Sequence, residues 1–189
     1  GRNLNIPISV SYHASGIKVQ DIASWVGSGW SLNAGGVITR TVRGLPDEEV
    51  NGFCGTNNIG EMAYQTPNNS YAQNISSGIW DGEPDLFYFN FLGTTGMFVL
   101  DETGLPVLLP YTNMKIKPAI CPFGLGKWII TDANGVQYTF GNDSNSKETT
   151  TSQLTGSTTS KTYISSWYLS EIKGTDGETI QFSYNAGEA

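Results

Sequence analysis

Trp167-Tyr168-Leu169-Ser170-Glu171-Ile172-Lys173-Gly174-Thr175-Asp176-Gly177-Glu178-Thr179-Ile180-Gln181-Phe182-Ser183-Tyr184 holds two alternating segments around a single turn. Thr175-Asp176-Gly177 suits a three-residue loop with Gly177 in the left-handed region. That register sets Ile172 against Ile180 and Tyr168 against Tyr184, with Phe182 on the same face. A two-residue turn would oppose Ile180 to Lys173 and Phe182 to Glu171, so burial selects the three-residue loop. The segment is an antiparallel hairpin, and much of the chain repeats its logic.

Working outward, Trp128 to Phe140 forms another hairpin. Asn134-Gly135 is a preferred type I′ pair, which predicts that Ala133 faces Val136, Thr131 faces Tyr138 and Ile129 faces Phe140. Leu86 to Leu92 alternates Phe87, Phe89 and Phe91 with Leu86, Tyr88 and Leu92, a pattern that predicts burial on both faces. Gly93-Thr94-Thr95-Gly96 turns it into Met97–Leu100, and Asp101-Glu102-Thr103-Gly104 turns that into Leu105–Leu109. Val37 to Arg43 reads as a strand with Thr39 and Thr41 on one side and Ile38, Arg40 and Val42 on the other. In the first strand, Ile6, Ile8, Val10 and Tyr12 form an apolar face opposite Pro7, Ser9 and Ser11. Residues 44–78 are the least regular, with a short helix predicted over Ser70–Ser77, Asn69 as its N-cap and Gly78 just past its end.

Composition agrees with this pattern. Only 14% of the 189 residues are charged, against roughly 25% in an average soluble protein. Apolar residues reach 38%, and 12% of the chain is aromatic. Polar surface must therefore come from Ser, Thr, Asn and Gly, which suits strands and turns and opposes a helical bundle. The net charge of −7 comes without a basic cluster, which argues against nucleic acid and against an anionic membrane surface. No apolar run approaches the ~18 residues of a membrane span. Asp143 to Lys161 has Leu154 as its one large apolar residue, so it reads as a mobile Ser/Thr-rich loop or a solvated pair of strand extensions. Cys54 and Cys121 are compatible with a disulfide or with two buried free thiols.

The expected fold is all-β: antiparallel hairpins forming curved sheets, as a shell, sandwich or barrel, with at most one or two short helices. Residues 1–189 read as a single β-rich segment of a larger protein.

Two longer blocks carry a family resemblance. Ile6-Pro7-Ile8-Ser9-Val10-Ser11-Tyr12-His13-Ala14-Ser15-Gly16-Ile17-Lys18-Val19 is followed by Ala23-Ser24-Trp25-Val26-Gly27-Ser28-Gly29-Trp30-Ser31-Leu32-Asn33-Ala34-Gly35-Gly36-Val37-Ile38-Thr39-Arg40. Together they resemble the N-terminal segment of RHS/YD-repeat proteins, in particular the SpvB/TcaC-like segment of the B component of Tc toxins. The run Asp81–Phe91 with Gly96-Met97-Phe98, and the hairpins 132–141 and 167–184, also fit. The chain departs from the family's long members in lacking a Tyr-Asp repeat array, a self-cleaving protease core and a toxin domain. The resemblance implies a non-enzymatic structural module of a secreted or cell-surface bacterial protein, part of a β-hairpin shell. Its implied partners are the remainder of its own longer polypeptide, and an enclosed cargo domain or a surface partner.

Residues that could carry chemistry have simpler readings. His13 is the chain's one histidine and ends a strand, so it lacks the company a triad needs. Asp81, Glu83 and Asp85 flank Gly82 and Pro84. They could serve a hydrolase or bind Ca²⁺, but a pre-strand turn bonding backbone amides explains them better. Asp132-Ala133-Asn134-Gly135 and Thr175-Asp176-Gly177 are explained by hairpin turns, and Gly27-Ser28-Gly29 lacks the Lys-Ser/Thr of a phosphate loop. No catalytic, cofactor-binding or metal residue is assigned. Trp25 and Trp30, with Gly27 and Gly29 between them, predict a buried structural corner. Exposed rings there would instead mark a glycan- or partner-binding module.

Overall fold

The computed structural model describes residues 4, 6–12, 27–65, 68–117, 126–153 and 160–185. The chain is mostly antiparallel β-sheet with two short helices, the expected class. β1 (Ser9–Tyr12) and β2 (Trp30–Asn33) form a separate two-stranded ribbon. The main sheet begins with β3 (Gly36–Thr41), and α1 (Ile59–Gln65) and α2 (Asn69–Ser76) follow. A meander comes next: β4 (Leu86–Phe91), β5 (Thr94–Leu100) and β6 (Pro106–Leu109). Then come β7 (Lys115–Lys117), β8 (Trp128–Thr131), β9 (Gln137–Phe140), β10 (Lys147–Gln153), β11 (Ser160–Lys173) and β12 (Thr179–Gln181). Their order is β6-β5-β4-β3-β11-β9-β8-β7, with β10 and β12 also paired to β11.

β11 organises the sheet. Residues 137–140 of β9 pair with its C-terminal half, and 147–153 of β10 continue along its N-terminal half. β12 pairs with Glu171–Lys173, and β3 with Ser166–Tyr168. Leu169 lies opposite Phe140 but Glu171 opposite Thr139, so Ser170 is an extra residue in the ladder. That bulge shifts the alternation, which is how Trp167, Leu169 and Ile172 are all buried.

The sheet curls into a nearly closed barrel. Phe98 on β5 and Trp128 on β8 lie far apart in strand order, yet their ring centroids are 5.0 Å apart. Trp128 also meets Trp167 edge-on at 5.9 Å, and Phe87 stacks on Phe98 at 5.0 Å. Large rings fill the interior of a chain poor in aliphatic residues. Cys54 is buried in this core and is disulfide-bonded, so the free-thiol alternative does not hold for it. Cys121 lies outside the described residues.

The hairpin 167–184 has the expected register: Ile172 opposes Ile180, and the Tyr168 and Tyr184 rings sit 5.4 Å apart. The hairpin 128–140 does not. Trp128 opposes Phe140 and Ile130 opposes Tyr138, one residue away from the type I′ register. The Asp132 carboxylate accepts from the amides of Asn134 and Val136, at 2.8 and 3.0 Å, and so stabilises a three-residue loop with Gly135 at φ 86°. The shift buries Trp128 and Ile130 instead of Ile129 and Thr131.

In β4, Phe87, Phe89 and Phe91 are buried, but Tyr88 is 43% exposed, because the outer face of the curled sheet meets solvent. Burial on both faces is thus corrected to burial on one. The turn after β4 is Leu92-Gly93, both at positive φ, and Thr94–Gly96 belong to β5. Gly96 serves a close approach, since a Cβ there would fall 2.2 Å from the Phe89 ring. α2 is shifted one residue from its expected span, with Asn68 as N-cap accepting from the Tyr71 amide.

The segment 143–161 contains β10, paired with β11, so the strand-extension alternative describes 147–153 and the loop alternative does not. Ser146, fully buried, anchors it by exchanging hydrogen bonds with Asp143 and accepting from the Tyr168 amide at 2.8 Å. Residues 154–159 lie outside the described set. No helix among the described residues is long and apolar enough to cross a membrane.

Candidate functional site

Two places concentrate chemistry. The first surrounds Arg40, which follows Ile38 on the buried face of β3. A guanidinium placed there needs anionic partners to offset lost hydration. Its Nε donates to Asp85 Oδ2 at 2.8 Å, and its Nη1 donates to Glu48 Oε1 at 2.9 Å. Asp85 also accepts from the amides of Arg43 at 2.8 Å and Asp47 at 3.1 Å, while the Asp85 amide donates back to Asp47 Oδ1. Asp81 accepts from the amides of Leu45 and Glu83. Glu83 faces solvent and pairs with Arg43 at 2.8 Å.

The expected acidic trio is therefore divided. Asp81 and Asp85 fasten the 43–47 loop to the segment before β4, and Glu83 points away. Arg40, Asp47 and Glu48 complete the cluster. The signal for them was an arginine on an otherwise apolar strand face, which demands carboxylates brought from elsewhere in the chain. Burial first, and then the Asp85 charge, push Asp47 up to about 8. Burial also pushes Asp85 up, against the pull of Arg40. Burial opposes the charge on Arg40, but Glu48 and Asp85 outweigh it and hold the guanidinium above its usual pKa. Asp81 and Asp85 accept from backbone amides, and Asp85 and Glu48 from the guanidinium, an arrangement that fixes chain segments. No group of three His, Cys, Asp or Glu suited to a metal ion occurs among the described residues.

The second place is the ribbon. Val10 pairs with Leu32 and Tyr12 with Trp30, so all four share one face, and the Tyr12 and Trp30 rings lie 5.2 Å apart. That face is open to solvent: Trp30 is 42% exposed and Leu32 54%. The expected burial of Trp30 is corrected. The turn Gly27–Trp30, closed by the Trp30 amide on Gly27 O, lifts the ring onto the ribbon's outer side. Trp25 and His13 lie outside the described residues. Ser9 and Asn33, from the alternate positions, line a cleft of about 840 Å³ between ribbon and main sheet. Compared with known proteins, the chain matches no family model, no curated protein and no solved structure.

Proposed function

We propose that the chain is a non-enzymatic structural module of a longer secreted or cell-surface polypeptide of the RHS/YD-repeat kind, a wall segment made of hairpins. The observation that carries this reading is the solvent-exposed apolar face of the β1–β2 ribbon. Ile8, Val10, Tyr12, Trp30 and Leu32 are all exposed, on a two-stranded unit too small to be stable alone. Further hairpins of the same polypeptide are the natural cover, because a second apolar sheet face packed against this one removes both from water.

Hydroxyl-radical footprinting of the isolated segment and of the parent polypeptide tests this. Tyr12 and Trp30 should be protected in the parent relative to the segment. Equal labelling in both would overturn the reading. A glycan- or surface-partner-binding role is the second reading, favoured by the exposed Tyr12–Trp30 pair.

A further inference from the structure

The cleft between ribbon and sheet is lined from the ribbon by Ser9, Leu32 and Asn33, and so adjoins the ribbon's apolar face at Leu32. Its volume, about 840 Å³, falls in the ~300–1,000 Å³ range of small-molecule sites. No Asp, Glu, Lys, Arg or His is among its described lining residues. Its described lining therefore offers no charge to pair with an ionic ligand.

Its walls combine ring faces with fixed polar groups. Tyr168, Phe182 and Tyr184 supply the rings. Tyr184 Oη donates to Leu169 O at 2.8 Å, and Tyr168 Oη donates to Glu148 Oε1 at 2.6 Å. Both phenol protons are therefore committed, and each oxygen offers a ligand only acceptor capacity. Burial, then Glu148, push Tyr168 up to about 12, and burial raises Tyr184 too, so the walls stay uncharged at neutral pH. Asn33 and Asn90 bring side-chain amides; Asn33 Nδ2 donates to Ser11 Oγ at 3.2 Å, and its Oδ1 can accept. Gly36 lets β3 lie close against Phe91 of β4, because a Cβ there would fall 2.3 Å from it.

Acceptor oxygens, amides and aromatic faces without charge match a ligand with many hydroxyl donors and apolar C–H faces. The geometry points to this cleft as a binding site for a neutral oligosaccharide. The assignment goes beyond the structural-module reading. It takes up the glycan alternative but moves the ligand from the exposed Tyr12–Trp30 pair to the cleft.

Titration calorimetry with cellotriose, maltotriose and triacetylchitotriose tests it, with 3′-sialyllactose as the anionic comparison. At least one neutral trisaccharide should bind saturably, with Kd at or below about 1 mM. Asn33→Ala or Asn90→Ala should weaken that binding about tenfold or more, and Trp30→Ala should not. Asn90→Asp, which keeps the size but adds charge, is the second variant should an alanine variant fail to fold, and it should weaken binding likewise. Absence of binding by all three neutral sugars overturns the proposal. So does tighter binding of sialyllactose, binding indifferent to both asparagine positions, or binding lost in Trp30→Ala alone. The last outcome would place the sugar on the ribbon. The footprinting result for Tyr12 and Trp30 is independent of every outcome here.

Discussion

Arg40 shows how a single residue fixes the course of a long irregular segment. Its guanidinium, buried on β3, draws Glu48 and Asp85 to itself, and Asp85 in turn holds the amides of Arg43 and Asp47. Removing one partner strands the other charge in the interior. Asp85→Ala should therefore cost about 3–5 kcal/mol in a denaturant melt. Asp47 behaves differently. Its folded pKa of about 8 lies above its ordinary value of 3.8, so the folded chain holds a proton that the unfolded chain releases. The associated stability is complete below about pH 4, declines as pH rises, and is gone above about pH 8. Asp47→Asn imitates the protonated form and keeps the acceptor for the Asp85 amide. Its melting temperature should exceed the parent's by several degrees at about pH 9 and converge with it near pH 4. Parallel curves across that window would mean that Asp47 is not the titrating group.

At the level of elements, the two hairpins on either side of β10 show when turn chemistry can be read. In 167–184, loop preference and burial select the same register, so Ile172 meets Ile180 as expected. In 128–140, Asn134-Gly135 favours a two-residue turn, but the Asp132 side chain binds two loop amides and Tyr138 Oη. Backbone propensity alone cannot weigh that side-chain competition. Asp132→Ala should cost about 1–3 kcal/mol, read by thermal unfolding, because three donors lose their acceptor. The ribbon was misread for another reason. Its alternation located an apolar face correctly, but periodicity does not say whether that face meets a core or an absent neighbour. Trp30→Ala should lower stability by about 1 kcal/mol or less, while Trp167→Ala should cost about 3–5 kcal/mol. Similar losses for both would return Trp30 to the core. Of the candidate site, Asp81 and Asp85 were legible as turn-forming carboxylates. The cleft was not, because its lining comes from segments distant in sequence, and only the pairing of β3 with β4 and β11 brings Asn33, Asn90 and Tyr184 together.

Across the whole molecule, aromatic packing and a disulfide at Cys54 supplement a modest aliphatic core. Reduction should lower stability by about 2–5 kcal/mol, measured as a fall in melting temperature with and without dithiothreitol. An unchanged melt would show that the bond adds nothing to packing already secured by neighbours such as Phe53. The central position of β11 has a further meaning for the order of events during synthesis. Val37 pairs with Tyr168, and β9, β10 and β12 all find their partner in the same late strand. The meander from β4 to β6 can zip locally as it leaves the ribosome and β3 can join it through β4, but the other edge of β3 must wait for nearly the whole chain. Until 160–173 emerges, the Phe87–Phe98 face has no Trp167 to close over it. A ribosome that stalls before that strand therefore leaves a greasy, half-rolled sheet in reach of its neighbours, and a holdase that shields such surfaces would be needed during that interval.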